Sequence, residues 1–259
     1  SAGYCCNAQP RVTPCQTQAI IADHAAVAAF DSIPADRIAA ARAMLRVGYG
    51  HSSHGGQITT GMCWLHQRLG EAYAFSSDGA GGTLFYDERT DLDLGHKGDL
   101  AWEQATREAL NSATGTERYN VVVWSWCAGV SDNTPAGIDT YLSAMNTLEA
   151  DYPEVVFVYM TGHTPDPDCL QVAGCPANTK TLNERIRAYC RDNGKVLFDF
   201  EEIESVRPDG SAVSEAVDSC LWCQDWCAAH PSELDCQIDC TSGCNNWCAH
   251  SHCYNCARK

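Results

Sequence analysis

Nine consecutive residues, Gly48-Tyr49-Gly50-His51-Ser52-Ser53-His54-Gly55-Gly56, bring together two hydroxyls, two imidazoles and four glycines. Such a segment offers a nucleophile, candidate bases and a backbone open enough to turn its amides toward a developing oxyanion, Gly55 among them. The bland alternative is a tight loop whose Ser and His side chains bond their own backbone. A Ser and a His adjacent in sequence rarely work as nucleophile and base, so a base for Ser52 or Ser53 is expected from elsewhere in the fold. Three further segments have residues of the right types. Trp124-Ser125-Trp126-Cys127 offers the Ser125 hydroxyl as an oxyanion donor, or else a packing cluster with Cys127 in a disulfide. Thr161-Gly162-His163-Thr164-Pro165-Asp166 offers His163. Cys248-Ala249-His250-Ser251-His252-Cys253 offers His250 and His252, each a candidate base.

The same histidines allow a second chemistry. His51, His54, His250 and His252 are candidate zinc or copper ligands, and Cys220, Cys223, Cys253 and Cys256 form two CxxC pairs that a structural zinc would accept if reduced. No CxxCH occurs, so the sequence gives no site for covalent haem. The expectation is that no cofactor is required.

Each chemical segment follows an apolar run. Leu45 to Gly50 reads as a strand, as do Asn120 to Trp124, Val155 to Met160 and Lys195 to Phe200; Gly137 to Asp151 and Asn178 to Arg191 have helical spacing. Residues 16 to 44 read as helix interrupted at Ser32 to Asp36. Alternating strands and helices predict an α/β fold, a three-layer sandwich of a parallel sheet with helices on both faces, with loops at the strand ends carrying the chemistry. From Asp218 the periodicity stops and Cys and Trp dominate. The expected organisation is an α/β domain over residues 1–217, including a cysteine-bearing arm, and a disulfide-rich appendage over 218–259 packed on it.

The chain has 259 residues and a formal net charge of −16, which repels polyanions and argues against a nucleic-acid partner. Nine of its 17 cysteines fall between Cys220 and Cys256 and the other eight are scattered, which suits disulfides in an oxidising compartment better than repeated metal sites. The odd count leaves one thiol free or joined to another chain, which allows a disulfide-linked assembly or homo-oligomer. The start Ser1-Ala2-Gly3 fits a mature end, so a secreted, extracellular or periplasmic protein is expected. The longest apolar stretch, Val121 to Val130, is too short for a membrane span.

Taken together, the Gly48 to Gly55 loop, the VVVWSWC strand end, Val158-Tyr159-Met160-Thr161-Gly162-His163 and the terminal AHSHCYNC segment resemble a bacterial branch of the SGNH (GDSL-type) hydrolases, over the chain from about Ile33 onward. The resemblance implies a flavodoxin-like sheet, a catalytic serine after the first strand and a histidine near the C-terminus as base. Relatives that write the loop GHTSHG imply Ser53; alignment on the GDS block selects Ser52. The family's DxxH has no literal match, its place reading His250-Ser251-His252-Cys253, and Trp124-Ser125-Trp126-Cys127 stands in place of Gly-x-Asn-Asp. The expected function is hydrolysis of ester or acetyl-ester bonds of a small molecule or carbohydrate. The alternatives are an inactive extracellular structural or binding protein and a zinc- or copper-binding protein.

Overall fold

A computed structural model describes residues 18–90, 92–112, 119–127, 129–218, 221–232 and 236. Seven strands form one sheet: β1 (Ile20–Ala22), β2 (Arg46–Gly50), β3 (Phe75–Ser76), β4 (Leu84–Arg89), β5 (Val121–Trp124), β6 (Val156–Met160) and β7 (Val196–Phe198). Their spatial order is β1-β7-β6-β5-β2-β4-β3, and every pairing is parallel. The inner five, β4-β2-β5-β6-β7, have the order 2-1-3-4-5 of the flavodoxin-like sheet, so the expected fold class holds.

The helices are α1 (His24–Ala28), α2 (Ala35–Met44), α3 (Gly56–Leu69), α4 (Ala101–Ser112), α5 (Pro135–Asp151), α6 (Cys175–Asp192), α7 (Phe200–Ser205) and α8 (Leu221–Ala229). Right-handed crossovers put α4, α5 and α6 on one face of the sheet and α3 on the other, because the chain moves from β2 to β4 in the direction opposite to its later steps. The packing agrees. Trp102 of α4, Ile138, Leu142 and Met145 of α5, and Leu182 and Ile186 of α6 share one core with β5 and β6. Trp64 and Leu65 of α3 form a separate cluster with Phe30 and Tyr73. Apolar runs such as Val121-Val122-Val123-Trp124 therefore lie buried between two helical layers, as central parallel strands must.

One expectation changes. Residues 20–22 lie within the stretch read as helix, yet they pair with Val196–Phe198 as an edge strand. Two adjacent isoleucines fit a pleated edge better than a helix, and the exposed edge of β7 supplies backbone partners that a local periodicity count cannot register. The N-cap Asp23, whose carboxylate accepts from the amides of Ala25 and Ala26, then starts α1.

Two disulfides are formed by Cys169 with Cys175 and by Cys227 with Cys236; Cys63 and Cys223 are disulfide-bonded as well. Among the described residues, Cys127 and Cys190 are free thiols. No helix among these residues is long and apolar enough to cross a membrane.

A buried ionic network fixes the loop after β6. Arg187 of α6 donates through Nε to Asp199 at 2.6 Å, and through Nη2 to Asp199 at 2.7 Å and to Glu201 at 2.9 Å. Thr161 Oγ1 donates to Asp199, while Asn183 accepts the Gly162 amide at 2.8 Å and donates to Glu201. The side chains of Asp199 and Glu201 are only 3% and 6% exposed, so removing the cation strands two buried carboxylates. Arg187→Met is expected to cost roughly 3–5 kcal/mol of stability, read by urea denaturation; a loss of under about 1 kcal/mol would contradict this role.

Candidate active site

In a sheet of this order the crevice opens where the chain leaves β2 toward one side and β5 toward the other. The loop 51–56 follows β2 and the loop 125–131 follows β5, so both enter that crevice. Their bases are anchored separately. His51, nearly buried, makes a 2.6 Å contact through Nε2 with Glu88 and stacks on Tyr49 with ring centroids 4.7 Å apart. The contact with His51 is the main influence holding the Glu88 carboxyl below the usual range. Tyr49 donates its hydroxyl to the Gly55 carbonyl at 2.9 Å, drawing the loop down onto β2. Gly55 itself leaves no room for a side chain: a Cβ there would lie 2.3 Å from that of His51. On the other loop, fully buried Trp126 donates Nε1 to the Met160 carbonyl at 2.8 Å and packs edge-on against Tyr141.

Two anchored loops meet at His54. Its Nδ1 lies 3.2 Å from Cys127 Sγ, and its Nε2 lies 2.7 Å from Asp218 Oδ2. Thiol, imidazole and carboxylate thus stand in a row, an arrangement that can serve as nucleophile, base and orienting group. Asp218 is 3% exposed and is tied to the loop after β6 by its amide, which donates to the Pro165 carbonyl. Burial opposes charge on His54, but the bonds to Asp218 and Cys127 outweigh it and raise the ring to about 9. Burial likewise opposes the Cys127 thiolate, yet the His54 contacts win and bring the thiol down to about 7. Each shift favours a thiolate beside an imidazolium.

Ser52 completes the rim. Its hydroxyl donates to Asp93 Oδ2 at 3.2 Å and is also within hydrogen-bonding reach of the Cys127 sulfur. Burial raises the Asp93 carboxyl. Ser53 takes left-handed backbone, φ 28°, an uncommon conformation for a residue with a side chain. Both ring nitrogens of the neighbouring His54 are engaged by Cys127 and Asp218, so His54 does not pair with Ser53. The Gly55 amide donates to the Ser52 carbonyl. Ser125 is wholly buried, with its hydroxyl directed to the Trp126 carbonyl at 3.3 Å. His250 and His252 lie outside the described residues, as do Cys220, Cys253 and Cys256.

His163 comes into the same crevice, stacked on His54 with centroids 4.0 Å apart and planes 13° from parallel. Burial, reinforced by the charge on His54, holds it down to about 4. A cavity of about 250 Å³ adjoins the two imidazoles, walled by Trp126, Val130, Pro165 and Val172 and by the Cys169–Cys175 disulfide.

The sequence pointed to the loop and to His163, but it did not pair Cys127 with His54 or bring in Asp218. One signal was available: a cysteine at the end of a central parallel strand, among many half-cystines, stands where such sheets put their chemistry. Asp218 is 164 residues from His54 and follows no strand, so no spacing rule reaches it.

No family model matches the chain, and no curated protein matches it. Solved structures do. A candidate acylhydrolase from Bacteroides fragilis NCTC 9343 is similar with 13% identity and a TM-score of 0.42, the match covering 70% of this chain and 86% of that one. A GDSL-like lipase from Bacteroides thetaiotaomicron VPI-5482 is similar with 15% identity and a TM-score of 0.41, covering 69% of this chain and 83% of that one. The functional reading is carried by the side chains of the crevice.

The thiol and imidazole contact has a direct consequence. Alkylation of Cys127 by iodoacetamide in chelator-containing buffer is expected to rise with pH as thiolate forms, with a midpoint near 7. An ordinary cysteine has its midpoint near about 8.5, and a midpoint there would contradict the pairing.

Proposed function

We propose that this chain is a secreted acyl hydrolase that cleaves ester and acetyl-ester bonds, with those on carbohydrate as the target class, and that Cys127 is its nucleophile. The observation that carries the reading is the unbroken series from Cys127 Sγ through His54 to Asp218. In the first half of the reaction the thiolate forms a bond to the carbonyl carbon, and the carbonyl π electrons move to oxygen. Collapse of that adduct expels the alkoxide, which takes the proton from His54 Nδ1 and leaves as the alcohol. An acyl thioester remains on Cys127 beside a neutral His54. In the second half water attacks the thioester, His54 takes the water's proton, and the carbon–sulfur bond breaks to return the thiolate and release the acid. Asp218 holds the ring in the orientation both halves need and stabilises its charged form. We assign oxyanion stabilisation to the Ser52 hydroxyl, whose proton would turn from Asp93 to the developing charge.

A second reading keeps serine as the attacking group. Ser52 stands at the position of the GDS serine and already donates to a carboxylate, Asp93; Ser53 needs a base from His250 or His252. The two chemistries separate under selective reagents.

Hydrolysis of p-nitrophenyl acetate by the disulfide-intact chain is the test. Cys127→Ala is expected to lower kcat/KM by about 1000-fold or more, and His54→Ala by a comparable factor. Ser52→Ala should cost about 100-fold, as for a lost oxyanion donor. Iodoacetamide should abolish turnover and a fluorophosphonate should not. Loss of activity to the fluorophosphonate with Cys127→Ala unimpaired would move the nucleophile to serine. Inertness to substrate and to both reagents would leave an extracellular binding or structural protein.

A further inference from the structure

The cavity of about 250 Å³ beside the crevice is bordered by His54 and not by Cys127 or Ser52. In the proposed reaction His54 gives its proton to the departing alcohol, whereas the acyl carbon and its oxygen belong to Cys127 and Ser52. The half of the ester nearest this space is therefore the alcohol. Its volume falls just under the range of about 300–1,000 Å³ found for small-molecule sites, which is room for one ring and not for a chain of them. The inner wall is apolar: Trp126 is wholly buried and Val130 is 2% exposed. Asp166 and Asp168, both exposed, stand at the mouth. The Asp166 carboxylate accepts the amides of Asp168 and Cys169 at 2.6 and 3.1 Å, while that of Asp168 bonds no other described residue. No lysine or arginine among the described residues lines the cavity. With His163 neutral, the one positive charge on its walls is that of His54, against two carboxylates. An apolar wall for the C–H face of a ring, and carboxylates at the rim to accept hydroxyl or ammonium hydrogens, suit a polyol or amino-polyol ring and repel an anionic one.

We propose that this cavity is the subsite for the alcohol half of the ester, and that it takes one uncharged or amine-bearing sugar ring and rejects sugars carrying carboxylate or sulfate groups. Asp168 is the discriminating residue, since its carboxylate is not committed to an amide as that of Asp166 is. The assignment to the alcohol half rests on the hydrolase reading above; the preference for one ring of that charge rests on the cavity alone.

Acetate release by the full, disulfide-intact chain is followed at neutral pH and low salt for glucose, glucosamine and N-sulfoglucosamine, each acetylated on its primary hydroxyl. The three differ only in the group on the second carbon: hydroxyl, ammonium or sulfamate anion. The glucosamine ester is expected to exceed the N-sulfoglucosamine ester by about tenfold or more in kcat/KM, with the glucose ester between them. Asp168→Lys should shrink that ratio by about fivefold or more and leave p-nitrophenyl acetate hydrolysis unchanged. Equal rates on the two charged esters, or a ratio indifferent to Asp168→Lys, would overturn the charge preference. If Asp168→Lys disturbs p-nitrophenyl acetate hydrolysis, Asp168→Asn makes the same comparison. A wild type that hydrolyses p-nitrophenyl acetate and none of the sugar esters would overturn the subsite and spare the hydrolase reading. If it hydrolyses neither, that reading fails and binding judges the cavity, by saturation-transfer NMR with free glucosamine and N-sulfoglucosamine. A stronger glucosamine signal that Asp168→Lys removes upholds the preference; equal signals overturn it.

Discussion

A parallel sheet whose strand order reverses between β2 and β5 cannot close the space above their carboxyl ends, because the two following segments depart to opposite faces. That gap is the constraint on which this molecule's chemistry depends. It receives one loop from each strand, and the loops are held by unrelated means, Tyr49 and His51 beneath the first and Trp126 beneath the second. The contact between His54 Nδ1 and Cys127 Sγ is thus set by packing on two different strands, not by the sequence of either loop.

The third participant shows how the cysteine-rich end enters the site. Asp218 stands where the periodic α/β sequence gives way to cysteine and tryptophan, and it lies against the loop after β6 through its amide. Just beyond it, α8 is tied to the domain by Trp222, whose Nε1 donates to the Glu204 carbonyl, while Cys227 is joined to Cys236 within the same segment. The Trp222 and Asp218 bonds to the domain therefore restrain the segment that carries the carboxylate beside His54. A second group of polar contacts, Arg187 with Asp199 and Glu201, restrains the β6 loop that presents His163. Crevice geometry is consequently over-determined on three sides.

Much of the fold was legible because central parallel strands announce themselves as continuous apolar runs, as in Val121 to Trp124 and Val156 to Met160. Edge strands were not. Ile20–Ala22 looked helical among alanines, and the two-residue β3 has no periodicity to detect. For the site, the glycine-rich loop and His163 stood out by composition. Cys127 was hidden by the abundance of its kind: among 17 cysteines a free thiol has no local mark, and only the tertiary structure separates Cys127 from the half-cystines. Sequence reading also gave His54 to the metal candidates and the hydroxyls to catalysis, since adjacency along the chain says nothing of the partner supplied by β5.

The measurement that bears most directly on the central claim is the site of the acyl-enzyme. Rapid acid quench of the protein with p-nitrophenyl acetate, followed by proteolysis and mass mapping, captures the acyl group before water removes it. The account predicts a 1:1 adduct on Cys127, a thioester discharged by neutral hydroxylamine. An acyl group mapped to Ser52 or Ser53, or an adduct undiminished in Cys127→Ala, would contradict it.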